Sequence, residues 1–282
     1  MSLRSGWRKC LNASMLGLTA VFAVATVSVL FFILGYLVYH GGKNVSWNFF
    51  TRLPKPVGEP GGGMANAIVG TAKLLFVALL IGAPVGVLSG VYLSEFGGKT
   101  LSFFVRYTAD LLNGVPSIVI GIFAYAIIVV PARHFSTFAG GFALGIMMIP
   151  IILRSTEEFL KAVPSTLREG GMALGVSKWR TVLTLVVPAA SSGIIAAVML
   201  AVARIAGETA PLLFTAFSNR YWSPGFNEPV ASLPVMIYTY AIGPYPEWHE
   251  QAWTAGLVLL GLVVVLNVAT RLIFARKMAA LR

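Results

Sequence analysis

Charged residues are scarce in this chain. Asp, Glu, Lys and Arg make up 11% of its 282 residues, whereas soluble domains carry about a quarter. Hydrophobic residues make up 57%, and so many apolar side chains cannot be buried inside one soluble core of this length. The composition therefore excludes a soluble protein and indicates that lipid covers much of the surface.

Cysteine and histidine are also scarce. Cys10 is the single cysteine, so an internal disulfide is excluded, and His40, His134 and His249 lie far apart in the sequence. Metal sites usually need such residues in close, regular spacing. The sequence therefore predicts no metal site.

Acidic residues are outnumbered by basic ones, which gives a formal net charge of +11. In a soluble protein this excess would suggest nucleic-acid binding. No basic run with interleaved aromatic residues is present, however, and Lys and Arg also accumulate on the cytoplasmic flanks of membrane spans. We therefore expect membrane lipid, and no nucleic acid, as a partner.

Uncharged stretches of about 20 residues, the length that crosses a bilayer as a helix, recur along the chain. Residues 181–219 contain only two charges, Arg204 and Glu208, and are too long for one helix but too short for two. We therefore predict an interfacial helix at Ser177–Val187, a bend at Pro188 and one span after it. The sequence thus predicts an all-α membrane protein with six transmembrane helices: Leu16–Tyr39, Leu74–Ser94, Leu111–Ala132, His134–Leu153, Ala189–Phe214 and Gln251–Thr270.

The distribution of Lys and Arg predicts that both termini are cytoplasmic, because basic residues favour that side. The first apolar segment is longer than that of a signal peptide, so we interpret it as a retained anchor. We divide the chain into a cytoplasmic segment 1–15, a first span 16–40, an outer loop 41–65, a five-span core 66–275 and a cytoplasmic tail 276–282. With this orientation the outer side carries only five basic residues, Lys43, Arg52, Lys55, Arg133 and Arg220.

The cytoplasmic loop 154–188 has signals of ordered structure. Thr166 and Glu169 have the spacing of a capping box, Gly175 suits a helix end, and Ser177 can begin a second helix. A hairpin of this kind either only connects two spans or presents a helix to a groove on a partner. The residues leave both interpretations open.

The triplet Glu169-Gly170-Gly171, with Gly175 and Pro188 at offsets 6 and 19 from Glu169, resembles the EAA loop of ABC importer permeases. Both alanines of that triplet are glycines here, and glycine weakens a helix by about 1 kcal/mol relative to alanine. In that family the loop inserts into a cleft of a cytoplasmic ATPase. The resemblance therefore implies an ATPase-docking set of six residues, Glu169, Gly170, Gly171, Ala173, Gly175 and Pro188.

Arg204 and Glu208 lie within the predicted fifth span, four residues apart, so we expect them to share one helix face. A charge at this depth is costly and is usually functional. Either the two residues form a structural pair, or Arg204 binds a transported anion and is held by Glu208 until that anion competes. Arg154, at the end of the predicted fourth span, is either a second anion contact or a topology charge. The planar donors of arginine match phosphate oxygens.

Four further segments resemble the phosphate-importer permeases of the PstA type: Arg204–Ala216, Gly63–Thr71, Val91–Phe96 and Val115–Gly121. The resemblance implies a type I ABC importer permease fold and a non-catalytic subunit without its own cofactor. ATP and Mg²⁺ would be bound by a dimeric cytoplasmic ATPase. The other expected partners are a second permease of the PstC type and an extracytoplasmic phosphate-binding protein, at the bacterial cytoplasmic (inner) membrane.

Two alternative functions remain open at this point. The first is the same architecture with another substrate, such as the oxyanion molybdate. The second is a secondary transporter or channel that works without ATP. Secondary carriers often contain inverted repeats, and no such repeat is apparent in this sequence.

Overall fold

The computed structural model describes residues 3–56, 59 and 61–279, and every regular element within them is helical. Parts of three predicted segments lie outside the described residues: 1–2 of the N-terminal segment, 57, 58 and 60 of the outer loop, and 280–282 of the tail. The helices are α1 (Leu3–Gly42), α2 (Trp47–Thr51), α3 (Ala65–Glu95), α4 (Lys99–Gly114), α5 (Ser117–Ala132), α6 (Thr137–Lys161), α7 (Ser165–Ala173), α8 (Lys178–Ile205), α9 (Ala210–Thr215), α10 (Leu233–Ala241) and α11 (Pro246–Ala279).

Five of these helices, α1, α3, α6, α8 and α11, are long and apolar enough to cross a membrane. Helices α4 and α5 meet this criterion only together, and they meet at an angle of 103°. The break falls at Val115-Pro116, since proline lacks a backbone N–H and disfavours helix in the residue before it. With the bent pair as one span, the prediction of an all-α protein with about six transmembrane helices is confirmed.

The prediction of an interfacial helix and a bend at Pro188 is wrong. Helix α8 runs as one span from Lys178 to Ile205. A proline inside a helix removes a hydrogen bond and crowds the preceding turn. Here the π-helical turn Val182–Val186 ends two residues before Pro188 and provides the wider backbone that the ring needs. The fifth span therefore ends at Ile205 and not at Phe214.

Helices α3 and α6 form the centre of the bundle and pack closely through glycine. A Cβ atom added to Gly86 would lie 2.8 Å from the Cβ of Ile152, and one added to Gly82 would lie 2.7 Å from the Cβ of Met148. Small residues at four-residue spacing are a common device by which membrane helices approach each other. Side chains of α8, among them Ala201, complete this core.

The two ends of the bundle carry different structures. At one end of the bundle α3 and α6 finish, α8 begins, and α7 lies between them. We call α7 and the first turns of α8 the hairpin, and this end of the bundle the hairpin end. At the opposite end, residues 216–232 form a long irregular segment, here called the long loop. The hairpin end corresponds to the side predicted to be cytoplasmic.

Helix α1 lies at the periphery. Its apolar window is entirely exposed, and it contacts α11 near its last turns. Thr254 donates a hydrogen bond to the carbonyl of Gly41 at 3.1 Å, and the ring of Tyr36 meets that of Trp253 with 5.1 Å between centroids. The core of the bundle therefore depends little on α1.

The close approach of α3 and α6 generates a stability prediction. We expect Gly86→Leu to lower the free energy of unfolding by at least about 1–3 kcal/mol, because overpacking displaces both helices. Thermal unfolding of the purified chain in detergent measures the change. Gly261→Leu is the matched control, since no atom lies within 4 Å of a Cβ built there. Equal stability of the two variants would contradict the packing argument.

Candidate functional site

The hairpin helix α7 ends at Ala173, and Gly175 terminates it, as predicted. Gly175 has a φ of 78°, which favours glycine. Its N–H donates to the carbonyl of Met172 at 2.9 Å, and the N–H of Val176 donates to that of Gly171 at 3.3 Å. These two bonds form a Schellman motif, which satisfies carbonyls that the helix end leaves free.

The predicted capping box at the start of α7 is not formed. The helix begins two residues earlier than expected, at Ser165 after Pro164, and no side chain caps it. Thr166 consequently lies inside the first turn, where its hydroxyl cannot act as the N-cap acceptor.

The two glycines of the triplet have different surroundings. Nothing lies within 4 Å of a Cβ built on Gly170, whereas one built on Gly171 would lie 2.6 Å from Cγ2 of Thr181. Gly171 therefore allows α7 to pack closely on the start of α8. Gly170 has no such packing requirement.

Only part of the predicted docking set lies on one exposed face. Glu169, Gly170, Ala173 and Gly175 are exposed, but Gly171 is buried. Pro188 lies ten residues into α8, about 15 Å along the span. Two further apolar side chains of the same segment are exposed, Leu174 at 85% and Trp179 at 55%. Trp179 was missed in the sequence, although an aromatic residue between Lys178 and Arg180 is a usable signal.

A buried ion pair fastens α7 to α3. The guanidinium of Arg168 donates from Nε to Oε2 of Glu95 at 3.0 Å and from Nη2 to Oε1 at 2.6 Å. It also donates to the carbonyls of Leu160 and Val163, each at 2.7 Å. The hydrogen bonds to Glu95 raise the pKa of Arg168 further above its ordinary value, so its side chain stays charged. We call this arrangement the Arg168 clamp.

Arg154 belongs to a second charged network at the hairpin end. The carboxylate of Glu157, 1% exposed, accepts from Arg106 and Lys161 at 2.6 Å and from Arg154 at 3.3 Å. Nε of Arg154 also lies 3.1 Å from Oδ1 of Asp110. Because Arg154 contacts two carboxylates here, it is already neutralised and is a weak candidate for a free anion contact.

Arg204 and Glu208 do not form the predicted structural pair. Helix α8 ends at Ile205, and the N–H of Glu208 donates to the carbonyl of Ile205 at 3.1 Å within a turn. The i, i+4 relation that would align the two side chains is therefore lost. Arg204 is exposed, and its side chain makes no ion pair or hydrogen bond with the part of the chain described here.

The break after α8 lies at the level of the membrane. Ile205 and Ala206 line a narrow gap together with Leu74, which is nine residues, or about 14 Å, from the start of α3. Non-helical backbone at this depth is tolerated where it is buried in protein or lines a water-filled path. Arg204 therefore occupies the kind of place where membrane transporters bind polar solutes.

The long loop is fastened to the beginnings of α3 and α6. The ammonium group of Lys73 donates to the carbonyls of Ser223 and Pro224, and the N–H of Thr137 donates to the carbonyl of Glu228 at 2.9 Å. The sequence alone assigned no partner to Lys73. Its partners are 150 residues away in the chain, and no local pattern indicates them.

The contrast between Gly170 and Gly171 can be tested by substitution. We expect Gly170→Ala to stabilise the hairpin by about 1 kcal/mol through helix propensity. We expect Gly171→Ala to destabilise the chain, because its methyl group would overlap Thr181, and a second change, Thr181→Ala, to restore much of the loss. Thermal unfolding in detergent measures all three variants. Stabilisation by both single changes would contradict the packing.

Comparison with known proteins agrees with this architecture. Residues 82–278 match the family model described as "Binding-protein-dependent transport system inner membrane component". The chain is 42% identical over 275 residues to the phosphate transport system permease protein PstA of Yersinia pestis, covering 97% of this chain and 93% of that one. It is 43% identical over 277 residues to the PstA of Haemophilus influenzae, with 98% of each covered.

Solved structures share the fold. The inward-facing methionine ABC transporter MetNI gives a TM-score of 0.56 at 21% identity, covering 74% of this chain and 91% of that one. An amino acid ABC transporter bound to histidines gives 0.56 at 16% identity, covering 76% and 92%. The predicted type I importer permease fold and the predicted family resemblance are thus confirmed. This multi-pass membrane protein belongs to the family of binding-protein-dependent transport system inner membrane components.

Proposed function

We propose that this chain is the non-catalytic permease subunit of an ATP-driven phosphate importer. The observation that carries the proposal is Arg204, an exposed guanidinium at membrane depth whose side chain has no carboxylate partner among the described residues. An unneutralised charge in a span is costly unless a ligand or water offsets it. A guanidinium fork binds phosphate oxygens in bidentate geometry. The names of the PstA relatives support phosphate as the anion.

Glu208 has a different proposed role from the one expected of a paired residue. It lies in the turn after α8 and is partly exposed, so it lines the same break as Arg204 without neutralising it. Its negative charge in the same break weakens the net attraction for an anion. Weak binding suits a translocation path, because an anion held too tightly would not leave.

The hairpin would dock the ATPase. Its exposed face combines the apolar Leu174 and Trp179 with the charged Glu169, and a short helix of this kind fits a groove on a partner. In this proposal the hairpin end faces the bacterial cytoplasm, as do both termini. ATP and Mg²⁺ are bound by a dimeric ATPase, and a PstC-type permease completes the path. A phosphate-binding protein delivers the anion at the long-loop end.

Transport by alternating access follows from these placements. Closure of the ATPase dimer displaces the hairpin, and the spans then expose Arg204 to one side of the membrane or the other. The permease need not bind phosphate tightly, because the binding protein performs the capture. Arg154 would contact the anion only after leaving Asp110 and Glu157, so we assign it a secondary role near the hairpin end.

Uptake assays test the role of Arg204. We expect Arg204→Ala to lower ATP-dependent phosphate uptake in vesicles by at least about tenfold, because hydrogen bonds to a charged group contribute about 1.5–3 kcal/mol. The amount of assembled complex should not change. The control is Lys43→Ala, which removes an exposed cation that lies over the ring of Tyr39 outside the core.

Normal uptake by the Arg204→Ala complex would remove Arg204 from the path. Uptake of molybdate in place of phosphate by the wild-type complex would retain the permease and overturn the substrate. Phosphate uptake that needs no ATP would overturn the importer itself.

A second experiment tests the docking face. We expect Leu174→Asp to weaken binding of the ATPase by at least about tenfold, since burial of a leucine side chain contributes about 1.5–3 kcal/mol. Co-purification of the ATPase with the permease measures it. Ile242→Asp is the matched control, because Ile242 is 67% exposed at the other end of the bundle. Equal loss in both variants would indicate general misfolding and not a docking contact.

A further inference from the structure

Helix α3 is fastened at both of its ends to segments far from it in the sequence. At the hairpin end its last residue, Glu95, is held by Arg168 of α7. The ring of Phe96, the next residue, lies under the ammonium group of Lys178 at 5.1 Å. Both the hairpin helix and the start of α8 therefore bear on the same end of α3.

At the opposite end, three side chains of α3 hold the long loop and the first residue of α10. Asn66 donates to the carbonyl of Asn219 at 2.7 Å, and the hydroxyl of Thr71 accepts from the N–H of Leu233 at 2.9 Å. Lys73 donates to carbonyls of the long loop, as described above. These contacts lie in the first part of α3 and extend over about two turns.

The Arg168 clamp uses the donor geometry of arginine fully. One guanidinium contacts both oxygens of Glu95 and the carbonyls of Leu160 and Val163. Glu95 has 3% of its side chain exposed and Arg168 has 22%. A buried carboxylate with a fixed bidentate partner resists displacement, because separating the two charges would leave the carboxylate buried and unpaired. The clamp is therefore a stiff joint and not a surface contact.

The clamp also reaches two helices at once. The carbonyls of Leu160 and Val163 lie at the end of α6 and just after it, so Arg168 joins α7 to both members of the α3–α6 pair. The chain itself connects α7 only to α6 and α8, through short turns. A movement of α7 can therefore reach α3 directly through Arg168, or indirectly through α6 and through Lys178 of α8.

We infer that Arg168 is a positioning residue that couples the hairpin to α3, and that α3 carries the resulting displacement to the long loop. The inference rests on the proposed function, because it assigns a route to the coupling between the ATPase and the outer face. The same contacts also transmit displacement in the opposite direction, from the long loop to the hairpin. A binding protein docked on the long loop displaces α3, and the clamp passes this displacement to the ATPase-docking helix.

The test measures the coupling between the binding protein and the ATPase in the assembled complex in vesicles. The readouts are the rate of ATP hydrolysis with and without phosphate-loaded binding protein, the amount of bound ATPase, and the amount of bound binding protein. We expect Arg168→Gln and Glu95→Gln each to reduce the stimulated rate by roughly tenfold, a usual size for coupling between sites. Both partners should remain bound, and the basal rate should stay unchanged.

Two further variants separate coupling from stability. Ser94→Ala removes a hydrogen bond to Oε1 of Glu95 at 3.1 Å but keeps the clamp, so we expect stimulation close to that of the wild type. Because Arg168 and Glu95 act as one joint, the double variant should be no worse than either single variant.

Three results would overturn the inference. The first is full stimulation of ATP hydrolysis in an assembled Arg168→Gln complex. The second is a double variant whose loss of stimulation equals the sum of the two single losses. The third is a loss of stimulation that is fully explained by a smaller amount of assembled complex. If Arg168→Gln does not assemble, Arg168→Lys is used, which keeps the charge but not the fork. Failure of both variants to assemble would assign the clamp to folding alone.

The wild-type complex distinguishes this outcome from failure of the proposed function. If the wild type shows no stimulation by the phosphate-loaded binding protein, the proposed function is wrong and the inference falls with it. If the wild type is stimulated and the clamp variants are stimulated equally, only the route through α3 is wrong.

Discussion

The close packing of α3 against α6 is the constraint on which the rest of the structure depends. Lipid is as apolar as the side chains, so helices in a membrane gain little from hydrophobic burial and associate through close van der Waals contact. Gly82 and Gly86 allow that contact. The pair extends through the bundle, and its two ends hold the two segments that carry function. The Arg168 clamp attaches the hairpin at one end, and Lys73 and Thr137 attach the long loop at the other.

The charged side chains of the bundle differ in whether a partner neutralises them. Glu95 and Glu157 are buried, and each is compensated by cations: Glu95 by Arg168, and Glu157 by Arg106 of α4 and Lys161 of its own helix. Such pairs contribute little net stability, but losing one partner is costly because the other charge stays buried. Arg204 differs, since it lies at the break after α8 with its side chain exposed. Arg204 can therefore bind an anion without breaking an ion pair. Arg154 must first break its contacts with two carboxylates.

The spans, the family and the end of α7 at Gly175 could be predicted from the sequence, because uncharged length and glycine at a helix end are local signals. The unbroken course of α8 through Pro188 and the absence of an Arg204–Glu208 pair could not. Both depend on where α8 begins and ends, and the π-helical turn before Pro188 has no clear sequence signal. The Arg168 clamp joins residues 73 positions apart. A single sequence contains no period or spacing that relates them.

The position of the hairpin is fixed by tertiary contacts and not by the strength of its own helix. Helix α7 has nine residues, and a helix this short is marginal in water by itself. Its two central glycines weaken it further. Its position must therefore be set by tertiary contacts: the Schellman bonds at Gly175, the packing of Gly171 on Thr181, and the Arg168 clamp. Glycine at position 171 thus exchanges local helix strength for closer packing, whereas Gly170 gains no packing in return. The hairpin can transmit force because tertiary contacts fasten it and not because its helix is rigid alone.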